Sequence, residues 1–585
     1  PTIQAETIPA CSNSPVSYTA TNGGPNNNIV PANTQYTWTI KTDNNAITGQ
    51  SAQPTAQTTF TQPLRNNTNT QQTLVYTITP ISGTCTGTPF DLTVQVNPTP
   101  EIANESIAAC SNAPISYTAT NGGGITNNNI VPTNTQYTWT IKTDNLNLTG
   151  QSAQSAAQSN FTQTLRNSTP VQQTIIYTLT PISGTCTGND FDLTVQVNPT
   201  PEIDDETIAT CSNAPISYTA TNGGGINNNN IVPADTQYTW IIKTDNNDIG
   251  GQSIQATPQS SFTQTLQNTT NTQKSIVYTL TPISGTCAGT PFDLTVEVNP
   301  TPEIAPKTAT ICSDDIFTVS PSNGFVNSNL AVDLVPAGTT YTWTVVPNAN
   351  VTGESNEATP QANISQTLTN TSNVVQTVTY TVTPTSGATG SCTGQDFQVV
   401  VTVNPKPSIT NPGSRNVCSN SSLIYVPTSG PGNSIPAGTK YSWTIVADNP
   451  EIIGQTPQST PQFLLTQNLR NKTAVPQSIL YELTPISGTC TGAAFLLSVQ
   501  VNPTPEIADK TDVICSEGTF SVTPTNTVVG GVGDIVPTGT TYTWTVVDNP
   551  DVTGDEGEAT PQNSISQQLT NTSNRVQTVV YTVTP

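Results

Sequence analysis

The sequence predicts an all-β fold: a tandem array of six similar β-sandwich domains strung into an extended rod. Three observations predict it. The stretch Tyr36-Thr37-Trp38-Thr39-Ile40 returns around Trp139, Trp240, Trp343, Trp443 and Trp544, at steps of 101, 101, 103, 100 and 101 residues. A fixed period of this length marks a tandem array, and about 100 residues suffice for each copy to fold on its own core. The apolar residues alternate with period two in short β-branched and aromatic runs, and no stretch has a helical period.

Each copy follows one plan. An extended piece such as Pro100-Glu101-Ile102 leads to a Cys-Ser pair. An alternating strand follows, Val16 to Ala20 in the first copy and Ile115 to Ala119 in the second. A Gly/Asn loop (Asn22 to Asn28) precedes the Trp strand. Then come a turn at Thr48-Gly49, a strand Phe60 to Leu64, a strand from Thr73 through Tyr76, and a last strand Phe90 to Val96. About seven strands around one central Trp is the pattern of an immunoglobulin-like sandwich, with the Trp on the third strand. A Tyr follows each Trp by 37 or 38 residues: Tyr76, Tyr177, Tyr278, Tyr380, Tyr481 and Tyr581. These tyrosines belong on the sixth strand, packed near the Trp, and both aromatics read as core.

The joints are Asn97-Pro98-Thr99-Pro100, 198–201, 299–302, Asn404-Pro405-Lys406-Pro407 and 502–505. Two prolines in four residues fix φ and favour extended geometry, which makes a stiff spacer. The resulting repeats are 1–100, 101–201, 202–302, 303–407, 408–505 and 506–585, the last read as truncated. The absence of methionine and the break within the sixth copy are expected of a piece of a longer protein. Copies 1 to 3 are nearly identical over long stretches, and copies 4 and 6 share Glu-Ala-Thr-Pro-Gln (357–361, 558–562). The loop before the Trp strand varies most, as in 121–129 against 429–434. Such a loop can hold a ligand, but loops also tolerate change for its own sake.

Composition narrows the function. Only 9% of residues are charged, and 14 basic residues face 37 acidic ones for a net charge of −23. Nucleic acid requires a basic footprint, so that class is excluded, and anionic membrane surfaces are disfavoured. A negative surface serves to keep neighbouring copies apart. No apolar run approaches the ~20 residues of a membrane-spanning helix. With no histidine, neither a Ser-His-Asp nor a Cys-His arrangement is possible in these residues. The pairs Asp204-Asp205 and Asp314-Asp315 point to opposite faces of an extended chain and read as solvated charge. Lys41, Lys142 and Lys243 raise the thought of isopeptide cross-links, but Val346 and Val547 hold that offset in copies 4 and 6. No enzyme, metal site or cofactor is expected.

Eleven cysteines recur at two positions. One precedes the second strand (Cys11, Cys110, Cys211, Cys312, Cys418, Cys515). The other lies in the hairpin after the sixth (Cys85, Cys186, Cys287, Cys392, Cys490). Regular pairs in a β-array point to disulfides and an oxidising compartment. Two arrangements are open. A bridge inside each copy, such as Cys11 with Cys85, is the simpler. Strand polarity favours the other, because the two positions lie at opposite ends of a sandwich and a disulfide needs Cα atoms within about 7 Å. Stacked head to tail, the first cysteine of one copy faces the hairpin of the next. That pairs Cys11–Cys186, Cys110–Cys287, Cys211–Cys392 and Cys312–Cys490, and leaves Cys85, Cys418 and Cys515 for partners beyond these residues.

Several blocks recur in fixed order. In copy 2 they are Ala109-Cys110-Ser111-Asn112, Tyr137-Thr138-Trp139-Thr140, Tyr177-Thr178-Leu179-Thr180-Pro181, the Cys186 hairpin, and Val195 to Pro201. On these blocks the whole chain resembles the PKD-like and Ig-like repeats of giant secreted surface proteins of Bacteroidota. The resemblance implies type IX export and display at the cell surface, as in SprB-like gliding-motility adhesins, with the envelope motility machinery as a partner. The leading expectation is a structural stalk that projects a tip and carries tension. The alternative is direct, multivalent binding of polysaccharide or abiotic surfaces by the repeats. A third reading is an accessory array beside a secreted glycan-degrading enzyme.

Overall fold

The computed structural model describes residues 1–124, 128–324, 333–387, 390–529 and 532–585. It is all-β among these residues, and no helix is long and apolar enough to cross a membrane. The chain divides into two compact units, Pro1–Pro300 with repeats 1 to 3 and Thr301–Pro585 with repeats 4 to 6.

Repeat 1 shows the plan. Its strands are β1 (Glu6–Cys11), β2 (Pro15–Tyr18), β3 (Gln35–Thr42), β4 (Ile47–Thr48), β5 (Gln53–Gln57), β6 (Phe60–Pro63), β7 (Arg65–Asn66), β8 (Gln72–Ser82), β9 (Cys85–Thr86) and β10 (Phe90–Asn97). The main sheet runs β1-β10-β8-β3-β5, with β9 folded back on β8. The facing layer is made of the small pairs β2-β6 and β4-β7. Repeats 2, 3 and 5 repeat these pairings, and repeat 4 differs only in detail.

Period-two alternation places the core between the layers. Along β8 and β10, Leu74, Tyr76, Ile78, Leu92, Val94 and Val96 are wholly buried, while the residues between them face outward. Trp38 on β3 contributes from the main sheet and Phe60 on β6 from the other. Their rings lie 4.9 Å apart, and Phe60 meets Tyr76 at 4.9 Å. Repeats 2 and 3 keep this triad. In repeats 4 and 6 the aromatic moves to the neighbouring strand of the same layer. Ile364 and Ile565 take the Phe60 position, while Phe317 and Phe520 replace Val16 and pack on Tyr380 and Tyr581 at 5.3 Å. The exchange keeps one aromatic and one aliphatic residue at these two positions, the kind of paired swap a close-packed interior tolerates.

One strand goes beyond the sequence reading. Between the turn at Gly49 and Phe60, Gln53–Gln57 pairs with the Trp strand (Tyr36↔Gln57, Trp38↔Gln53) across a bulge. It is a polar edge strand with no buried residue, so no alternation announces it.

The opening segment of each repeat is pinned by one polar side chain. Asn28 accepts from the Gln4 amide (2.9 Å) and donates to Glu6 (2.8 Å). In repeats 4 and 6 both partners change together. Asp333, wholly buried, accepts from the Ala305 amide (3.0 Å) and pairs with Lys307, and Asp534 does the same with Ala508 and Lys510. Either solution leaves the buried polar atom partnered, as a dry site demands.

Candidate functional site: the junctions between repeats

Strand β1 runs parallel to β10, with Cys11 level with Asn97. Cys11 therefore lies where the chain leaves repeat 1. The hairpin that carries the second cysteine lies at the other end of its repeat. The structure brings Cys11 and Cys186 together at a Cα separation of 5.5 Å, and Cys110 and Cys287 at 5.6 Å. In the second unit Cys312 and Cys490 meet at 5.5 Å. All three are disulfides between successive repeats. Their hairpin members Cys186, Cys287 and Cys490 are buried. Cys211 and Cys392 are oxidised. Cys85, Cys418 and Cys515 are free thiols, all exposed.

The hairpin reaches the joint because of one glycine. A Cβ on Gly188 would come within 2.1 Å of the Pro100 carbonyl oxygen, so only glycine lets the hairpin seat on the linker. Gly289 stands in the same relation to Pro201 and Gly492 to Pro407. Beneath it, Pro98, Thr99 and Pro100 are buried, and the Thr99 hydroxyl donates to the Ser12 carbonyl at 2.8 Å. The linker is a packed part of the joint.

A second contact crosses each of three joints. Arg65 on β7 pairs with Glu101 of repeat 2 at 2.7 Å, and Asn13 donates to the same carboxylate at 2.7 Å. Arg166 and Asn112 hold Glu202 in the same way. Arg470 and Asn420 hold Glu506, where the Arg470 guanidinium keeps the carboxyl below its ordinary range. Asn13, Asn112 and Asn420 sit at φ of 65°, 61° and 63°, a left-handed turn that asparagine tolerates better than most residues. At the joint of repeats 4 and 5, Thr369 and Ser408 stand at the Arg and Glu positions, and Ser434 donates instead to Asn373.

An asparagine underpins each joint from inside the upstream repeat. Asn66 Nδ2 donates to the carbonyls of Thr70 (2.7 Å) and Val96 (3.0 Å). Its Oδ1 accepts from the Thr68 amide (2.9 Å) and hydroxyl (2.7 Å). Its own amide donates to the Ser12 hydroxyl at 3.0 Å, which gives the Ser of the Cys-Ser pair its role. Asn167, Asn268, Asn370 and Asn471 keep this pattern, and Asn571 keeps its local part, donating to the Arg575 carbonyl and to the Ser516 hydroxyl. The hub ties the end of the first strand to the end of the last, beside the disulfide. Sequence reasoning missed the hub, the Arg–Glu latch and the role of Gly188. The signal for the hub was an Asn followed two residues later by Thr or Ser in every copy.

The other candidate residues fall elsewhere. All six tryptophans are core, at 4–5% exposure, and each indole N–H donates to a backbone carbonyl, as Trp139 does to Ser152 at 3.1 Å. Tyr76, Tyr177, Tyr278, Tyr380 and Tyr481 are wholly buried, and Tyr581 is half-buried. Burial pushes the phenol of Tyr581 up to about 12. Among the described residues no three His, Cys, Asp or Glu side chains gather as a metal site. Asp204 and Asp205 have separate partners, Asn227 and the Asp293 amide. Lys41, Lys142 and Lys243 form exposed ion pairs with Asp91, Asp192 and Asp293. In the variable loop of repeat 2, residues 125–127 lie outside the described residues.

Among solved structures the chain is similar to the human desmocollin-1 ectodomain (12% identity over 84% of this chain and 97% of that one, TM-score 0.21). It is also similar to the insect immune protein hemolin (8% identity, 69% and 99%, TM-score 0.19). A titin I-band fragment, I67–I69, matches at 8% identity over 52% and 98%, with a TM-score of 0.22. At TM-scores this low the likenesses carry no argument about function. No curated protein matches the chain. The PKD-like domain matches six times, at residues 9–100, 108–201, 208–302, 310–407, 415–505 and 512–585. The chain therefore belongs to the PKD-like domain family, as six copies in tandem.

Proposed function

We propose that these repeats are a non-catalytic structural stalk in a large extracellular adhesin, projecting an adhesive tip and passing tension toward the cell. The observation that carries this reading is the joint. Repeats 1 and 2, and repeats 2 and 3, are coupled by a disulfide, a packed linker and an Arg–Glu latch, repeats 4 and 5 by a disulfide, and repeats 5 and 6 by a latch. A chain whose domains acted singly would need only a flexible spacer. The disulfides support an oxidising, extracellular setting. Attachment to a cell surface, type IX export and a gliding-motility partner rest on the resemblance of the repeated blocks to SprB-like adhesins. The burial of all six tryptophans supports a stalk over a glycan binder, since it removes them as stacking platforms.

The test is binding of the purified 585-residue chain, fluorescently tagged, to glass and to a panel of polysaccharides. The stalk reading predicts no saturable binding. Saturable binding that weakens as repeats are deleted would replace it with direct multivalent adhesion by the repeats.

A further inference from the structure

The bridges of the first unit do more than join neighbours, because they overlap. Cys11–Cys186 closes a loop of sequence separation 175, and Cys110–Cys287 one of 177. The second bridge begins inside the first loop and ends outside it, so residues 110–186 belong to both. From this topology we propose that the overlapping bridges form a second, redundant covalent strand. It keeps the chain continuous past any single backbone cut between Cys11 and Cys287, and it limits how far the unit lengthens when its repeats unfold.

Connectivity alone sets which cuts are bypassed. A cut between Cys11 and Cys110 is bypassed by Cys11–Cys186. A cut between Cys186 and Cys287 is bypassed by Cys110–Cys287. Within 110–186 either bridge serves. A bridge inside each repeat would protect only that repeat and leave every linker exposed to a single break. Length follows the same logic. With both bridges closed, the shortest covalent route from Thr2 to Thr290 runs over about 90 residues, about 310 Å at full stretch. Either bridge alone gives about 390 Å, and neither gives about 1,000 Å. One bridge can thus be lost with little gain in length.

This inference gives the proposed stalk its response to damage. It rests on that reading's joints, but the two failures are distinguishable: connectivity after cleavage decides this inference, and surface binding decides the stalk reading. The experiment places a specific protease site in the exposed loop 24–27 of the full chain, with a fluorophore at the N-terminus. After cleavage and denaturation without reductant, the fluorescent piece is expected to stay with the main chain. It is expected to separate with dithiothreitol, and without reductant both in the double variant Cys11→Ser/Cys186→Ser and in Cys186→Ser alone, where a bridge from Cys11 to Cys85 would instead hold the piece. Release from the unreduced, unsubstituted chain overturns the proposal. A second measurement stretches the chain in denaturant between handles on the exposed Thr2 and Thr290, so that folding does not limit the reading. About 310 Å is expected oxidised and about 390 Å in the double variant. An oxidised length near 1,000 Å contradicts the proposal.

Discussion

Replacing Asn167 with alanine is expected to destabilise repeat 2 by about 3 kcal/mol. The side chain is wholly buried and satisfies four groups at once. It donates to the Val171 and Val197 carbonyls and accepts from the Thr169 amide and hydroxyl. Alanine strips the Val197 carbonyl and the Thr169 amide of the Asn167 side chain, while the Thr169 hydroxyl and the Val171 carbonyl still meet at 3.0 Å. A buried group stripped of its partner costs about 1–3 kcal/mol, and water reaches the half-buried Thr169 more readily than Val197. Asn167→Asp is expected to be no better, since it removes both donated bonds and adds a buried charge. Hydrogen exchange reads the effect. Protection along Gln173–Ser183 and Phe191–Asn198 should fall, while the equivalent strands of repeat 5, with Asn471 intact, should not change. Unchanged protection in repeat 2 would mean that the hub is dispensable.

The larger expected loss comes from Trp139→Ala, at about 3–5 kcal/mol. The ring is 4% exposed, lies 5.0 Å from Phe161, and spends its only polar atom on the Ser152 carbonyl. Removal opens a cavity between two sheets whose other members are already in place. A domain of this size has about 5–15 kcal/mol in total, so repeat 2 should be driven close to its unfolding threshold. The other five repeats each keep their own tryptophan. In the variant, urea should give an early transition by hydrogen exchange in repeat 2 alone, while tryptophan fluorescence keeps the main transition. A variant as stable as the parent would show that the Trp position is not the centre of the core.

The fold was legible because its signals are periodic. The Tyr-x-Trp strand, the Tyr on β8 and the alternating β10 are buried-face patterns, and burial is what writes itself into composition. The β5 edge strand, Gln-Pro-Thr-Ala-Gln, was not legible, because a strand that buries nothing carries no alternation. The joint was legible in part. Strand polarity places Cys11 and the Cys186 hairpin at facing ends, and that follows from topology without coordinates. The latch and the hub did not show. Arg65 and Glu101 are 36 residues apart, and Asn66 reaches Ser12 across 54. Partners that meet only through tertiary structure leave no local pattern, and an Asn two residues before a Thr reads at first as one more turn. Gly188 is a similar case, since its need for a bare Cα comes from the Pro100 carbonyl of the linker rather than from its own turn.

The coupling of neighbouring repeats is the central claim, and peptide mapping of the unreduced protein tests it most directly. The expected products are peptides joining Cys11 to Cys186, Cys110 to Cys287 and Cys312 to Cys490. Peptides joining Cys110 to Cys186, or Cys11 to Cys85, would place each bridge inside its own repeat. That result would contradict both the coupled joint and the redundant strand built on it.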